Sequence, residues 1–180
     1  MIVGMPILLF MILFFSILTT QSSGGSEEVV AVNVYKLDIP FKNKSQFVIT
    51  SKFGYRFDPF GSGDRKFHSG IDLGSPSGTD IVASADGVVY QTGYQENGLG
   101  NYVYIKHEVD GSTIYTAYGH MLDDSIVVKK DAEVTKGQKI GEVGSTGAST
   151  GAHLHFMIMK KVPYTYNDLI DPFFVINGLS

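Results

Sequence analysis

The chain has 180 residues, 43% of them hydrophobic and 18% charged, with a formal net charge of −4 and no cysteine. That length supports one medium domain with its own core, and the acidic balance, with no basic run longer than Lys129-Lys130 or Lys160-Lys161, excludes the electrostatic footprint of a nucleic-acid binder. The missing cysteines remove disulfide scaffolds, thiolate zinc sites and cysteine nucleophiles together, so any metal must be held by histidine and carboxylate.

Residues 1–20, MIVGMPILLFMILFFSILTT, carry no charge and run apolar from Ile2 to Leu18. They read as an export signal or a membrane anchor, since the run is close to the ~18-residue lower limit for a span. With no polar face, a buried core helix is the weaker reading. Residues 21–50 read as a linker and extended arm: QSSGGSEE is small and polar, and VVAVNVY and QFVIT are short alternating pieces suited to arms or edge strands.

From residue 51 to 180 the pattern is strand and turn, with IVASADGVVY, NYVYIKHEV, STIYTAYGHM, SIVVKK, KIGEVG and HLHFMIM separated by glycines and no sustained 3.6-residue period. The expected class is all-β and mostly antiparallel, a sandwich or barrel. Asp110-Gly111 between two alternating runs predicts a two-residue hairpin that sets Val109 opposite Ser112, His107 opposite Ile114 and His120 opposite Asn101. His107 and His120 then lie roughly 20 Å apart along the ribbon, so they do not share a small site unless bulges rearrange the ladder, and His107 reads as a structural hairpin histidine.

The stretch GAHLHFMIM, 151–159, places His153 and His155 two apart. On a strand that spacing sends both imidazoles to one face while Leu154 and Phe156 face the core. Burying two such groups without partners costs several kcal/mol, so the pair hints at a metal. In FHSGIDLG, 67–74, His68 precedes Asp72 by four positions across Ser69-Gly70, which disfavours a helix, and both can reach one ion only if the chain bends near Gly70. An exposed turn with an incidental histidine is the competing reading of that stretch. A His, Asp, His set with water as fourth ligand is what catalytic zinc uses, and zinc lowers the pKa of its bound water to about 7, which points to hydrolysis. Mn²⁺ and Fe²⁺ also accept these ligand types. His120 and the second member of the HxH pair are then available for acid–base or oxyanion work.

HSGID, YGHM and GSTGASTGAHLHF together resemble the lysostaphin- or LytM-type zinc endopeptidases that cut peptide cross-links in bacterial cell walls. The similarity runs over about residues 51–173 and takes in FGYRFDP at 53–59, GTDIVASADGVV at 78–89, VTKGQKIGEVGSTG at 134–147 and the closing Asp171-Pro172. It implies a LytM-like duplicated hybrid barrel-sandwich with a zinc groove, one Zn²⁺ per chain held by His68, Asp72 and His155, and His120 and His153 as the catalytic pair. Glycine-rich loops at 61–63 and 98–100 are candidate groove walls, or plain turns. The chain departs from the family where it has Met157 in place of a common Glu and Met121 in place of a common Leu.

The expected substrate is therefore peptidoglycan peptide stems or bridges, with no nucleic acid, a membrane contacted only through the N-terminal segment, and a monomer acting outside the cell, in the wall or on the outer face of the cytoplasmic membrane. A non-catalytic binding relative would have lost ligands, and this sequence keeps all five. A lipoyl-type carrier would need a Met-Lys hairpin lysine, which VTKGQKIGEVG lacks, and a phosphotransfer domain leaves Asp72 and the export segment unexplained.

Overall fold

The computed structural model describes residues 37–177. The N-terminal segment and the VVAVNVY piece lie outside the described residues. Fourteen strands follow in chain order: β1 (Leu37–Asp38), β2 (Val48–Ser51), β3 (Gly54–Phe57), β4 (Arg65–His68), β5 (Ile71–Gly74), β6 (Asp80–Val82), β7 (Gly87–Gln95), β8 (Gly100–Val109), β9 (Ser112–Met121), β10 (Glu133–Val134), β11 (Lys139–Glu142), β12 (His153–Met159), β13 (Leu169–Ile170) and β14 (Ile176–Asn177). The only helical pieces among the described residues are three 3-10 turns of three residues each, so none is long enough to cross a membrane. The expected mostly antiparallel β-fold is what the chain forms.

An eight-stranded sheet in the order β10-β7-β8-β9-β12-β5-β2, with β13 also on β12, carries the molecule, and every pairing in it is antiparallel. Two short ribbons, β6–β11 and β3–β4, and the parallel pair β1–β14 complete it. Alternation along β12 divides its side chains between two apolar clusters. Leu154, Phe156 and Ile158 join the main core with Ile81 and Ile140 of the β6–β11 ribbon, while Met157 and Met159 join a smaller one with Tyr102 and Tyr104. Both faces of this strand are thus covered, which explains why HLHFMIM is apolar at nearly every position.

Residues 37–50, read as linker and arm, take part in this fold. Leu37 and Phe41 are buried in the main core, and β2, as QFVIT suggested, is an edge strand of the large sheet. The Asp110-Gly111 hairpin forms with Val109 opposite Ser112 and His107 opposite Ile114. Towards its far end the register slips. Val103 faces Tyr118 but Asn101 faces Met121, so Gly119 and His120 together oppose Tyr102, and His120 is not opposite Asn101 as the unbroken hairpin required. The cause is a bulge on β9, where His120 takes φ +60° and its N–H donates to the Leu99 carbonyl at 2.6 Å. His107 is fully buried, bonded through Nδ1 to the Asp86 carbonyl and through Nε2 to Thr116 Oγ1, each at 2.8 Å. It is a satisfied core histidine rather than one on an open hairpin face.

Candidate active site

The antiparallel register sets His155 of β12 directly opposite Asp72 of β5. Their side chains therefore share a face, and His155 Nδ1 lies 2.8 Å from Asp72 Oδ1. His68 arrives from a different ribbon. β4 ends at His68 and β5 begins at Ile71, so the chain turns through Ser69-Gly70, the bend that the HxxxD spacing needed. Glycine is required at residue 70 because a Cβ there would collide with the Phe156 backbone and with Met157. The turn brings His68 Nε2 to 3.0 Å from both Asp72 Oδ1 and His155 Nδ1.

These three buried side chains fit a metal ion. His68 Nδ1 faces the Lys52 carbonyl at 2.8 Å, which fixes Nδ1–H as a donor and leaves Nε2 as the ring atom that faces the Asp72 carboxylate. Donor atoms crowded at 3 Å repel unless a metal cation or a shared proton lies among them. Separations of 2.8–3.0 Å are close to the ~3.3 Å edge of a tetrahedron built on metal–ligand bonds of about 2.0–2.1 Å. Burial disfavours ionisation of Asp72, yet the hydrogen bonds from His155 and His68 outweigh it and hold its carboxyl far below the usual range. Burial likewise pushes the His155 pKa down, so this ring is neutral at physiological pH, the form that ligates. Asp72 Oδ2 faces Arg56 Nη2 at 3.4 Å.

Two more imidazoles stand beside this cluster. The bulge on β9 turns His120 towards β12, with ring centroids 4.6 Å from His153 and 5.8 Å from His155. His120 Nδ1–H donates to the Thr146 carbonyl and His153 Nδ1–H to the Gly151 carbonyl, both at 2.8 Å. Each ring so keeps Nε2 available, and that of His153 lies 3.6 Å from Asp72 Oδ1. Burial pushes the His120 pKa down to about 4. All five residues line one cleft of about 280 Å³, floored in part by Met157, which shares the His155 face as strand alternation requires. Gly98 lines this cleft and is therefore part of a wall; Gly61 and Gly63 do not line it, although Pro59 and Phe60 of the same loop do.

Sequence reasoning overlooked Arg56 and the carbonyl acceptors of Lys52, Thr146 and Gly151. Arg56 stands inside the FGYRFDP stretch but has no partner nearby in sequence, and backbone carbonyls leave no residue signature.

Known proteins match this chain in the same region. A DD-carboxypeptidase/endopeptidase, Mpg, of Neisseria meningitidis is 44% identical over 108 residues, which are 60% of this chain and 23% of the relative. The match thus spans less than a quarter of that protein's length. The catalytic domain of the antimicrobial peptidase lysostaphin from Staphylococcus simulans superimposes with a TM-score of 0.61 at 29% identity, covering 71% of this chain and 90% of that one. A zinc-containing peptidase from Vibrio cholerae does so with a TM-score of 0.61 at 33% identity, covering 76% of this chain and 39% of that one. The sequence profile of peptidase family M23 matches residues 66–172. That match takes in more than half of the chain and encloses every one of the five clustered side chains, and the chain belongs to peptidase family M23.

Proposed function

We propose that this chain is a zinc-dependent endopeptidase that hydrolyses peptide cross-links or cross-bridges of bacterial peptidoglycan. The observation that carries the reading is the convergence of His68, Asp72 and His155 to 2.8–3.0 Å beside two further imidazoles whose Nε2 atoms make no hydrogen bond among the described residues. His68, Asp72 and His155 would hold one Zn²⁺, an identity favoured by the ligand types and by the zinc-containing relative. A zinc ion in that seat supplies Lewis acidity, which makes a water acidic enough to ionise near pH 7 and polarises a carbonyl.

His120 and His153 do the proton work. His120 is neutral at physiological pH, and with Nδ1–H committed to the Thr146 carbonyl its Nε2 lone pair accepts a proton from the attacking water. The imidazolium so formed returns that proton to the leaving amine. His153, anchored by the Gly151 carbonyl, presents its own Nε2 to orient the water and to face the charge that develops on the carbonyl oxygen. All five side chains come from one chain, so a monomer suffices. Similarity to the peptidoglycan DD-endopeptidase ShyA of Vibrio cholerae, 44% identical over 52% of this chain and 20% of that relative, supports a peptidoglycan substrate in the cell envelope, and residues 1–20 would bring the chain there, as a cleaved signal or an anchor.

The test is elemental analysis and wall digestion on the chain purified without residues 1–20. About one zinc per chain is expected, with soluble peptide fragments released from purified walls and chelation abolishing release. Undiminished release by metal-free protein would overturn the reading.

A further inference from the structure

Arg56 stands where the active-site cleft meets a second one. The second cleft, of about 320 Å³, is bordered by Thr50, Ser51 and Ala152 and shares Arg56, Pro59, Asp72, Thr150 and His153 with the first, so the two form one continuous trough past the cluster. Arg56 is the only arginine or lysine among the described residues that lines either, and Asp72 is the only carboxylate.

Asp72 does not saturate the guanidinium. Their single contact is 3.4 Å long, where a charge-assisted fork would close to 2.7–2.9 Å through two parallel bonds. Among the described residues the Arg56 side chain has no other hydrogen-bond partner, and it remains 32% exposed to the trough. The strand that carries it is paired with β4 at all four of its residues. Arg56 pairs with Lys66 in the β3–β4 ribbon, whose closing loop is fastened by the Lys66–Asp58 ion pair at 2.8 Å. With a divalent cation in the neighbouring seat the charge of Asp72 is outweighed, and the trough becomes an electropositive strip on a chain of formal net charge −4.

We infer that Arg56 binds a carboxylate of the substrate and makes the trough selective for peptides with a free carboxylate beside the scissile amide. A link from D-alanine to a diamino dicarboxylic acid carries one on the carbon next to the scissile nitrogen. A glycyl-glycine bridge carries none there. The inference rests on the proposed peptidase reading and narrows its substrate class.

Binding rather than cleavage tests it. Zinc-loaded His120→Ala protein, which keeps the peptide intact, is titrated calorimetrically with two synthetic cross-linked peptides that differ only in that carboxylate, one free and one amidated. The free acid is expected to bind about tenfold or more tightly than the amide, as loss of one charge-assisted fork implies. Adding Arg56→Gln should erase that preference by weakening the acid alone, and Arg56→Lys should restore part of it. Equal affinity for the two peptides before Arg56 is changed would overturn the inference, and that comparison needs no Arg56 variant to fold. Equal weakening of both peptides by Arg56→Gln, with zinc content unchanged, would also overturn it, by showing that Arg56 only orients Asp72. A parent protein that binds the acid selectively but cleaves no wall peptide would overturn the peptidase reading and leave the role of Arg56 standing.

Discussion

His120 and Asp72 sit within one cleft, yet the chemistry assigned to them separates cleanly under mutation. His120 Nδ1–H donates to the Thr146 carbonyl and its Nε2 is the proposed partner of substrate and water, so His120→Ala should remove a proton carrier without touching the three ligand atoms. Hydrolysis should fall by about 10²–10⁴-fold, the usual worth of a general base, while zinc content by elemental analysis stays at one per chain. Asp72 supplies the only negative charge of the cluster. Asp72→Ala should therefore lose metal and activity together, read as zinc retained after dialysis. Activity of His120→Ala close to that of the parent would move the base elsewhere.

At the scale of elements, the site depends on one irregular strand and one turn. The bulge on β9 aims His120, and a histidine at φ +60° carries strain on the order of 1–3 kcal/mol that surrounding packing must hold. The clamp is the turn at residues 144–150. Thr146 Oγ1 donates to the Met121 carbonyl and accepts from Asn101 N–H, which seats the Thr146 carbonyl against His120. Gly147, at φ +69°, lets that turn lie on β8, because a Cβ there would strike the Gly100 backbone. Gly147→Ala should lower the denaturation midpoint and the turnover number together, whereas Gly151→Ala, whose Cβ meets nothing within 4 Å, should leave the midpoint unchanged in the same melts. What was legible beforehand follows from how local each signal is. The shared face of His153 and His155 follows from strand alternation alone, and the Asp110-Gly111 turn sets the first rungs of its ladder. The displacement of His120 by one position was not legible, because it is set by contact of Gly119 and His120 with Leu99, some twenty residues away. Arg56 escaped for the same reason: its meaning arises only when the β3–β4 ribbon brings it to Asp72.

Across the whole molecule, the cluster and the core share a dependence on pH. Burial lowers the pKa of His107, of His155 and of His120, the last to about 4, and in metal-free protein these rings must stay neutral for the fold to keep its contacts. Below the unfolded histidine value of about 6.5 the unfolded chain binds protons that the folded chain refuses, so the unfolded state gains and stability drops. For His120 alone the full loss is roughly 3 kcal/mol, complete once pH passes below about 4. Asp72 acts in a lower window. Its depressed pKa contributes stability above the ordinary carboxylate value of 3.8 that disappears only in stronger acid. Denaturant titrations in chelator should therefore show stability falling steadily from pH 7 to pH 4, with a further fall beneath. The neutral-to-mildly-acid limb should flatten in His107→Gln, even though that variant is less stable at pH 7, because one of the refused protons is gone. Zinc should raise stability in the same titrations, since it binds the ligand set that only the folded chain assembles. A flat profile between pH 7 and pH 5 in chelator would show that the buried rings take up protons in the folded chain as readily as in the unfolded one, and would remove the depression of the His120 pKa.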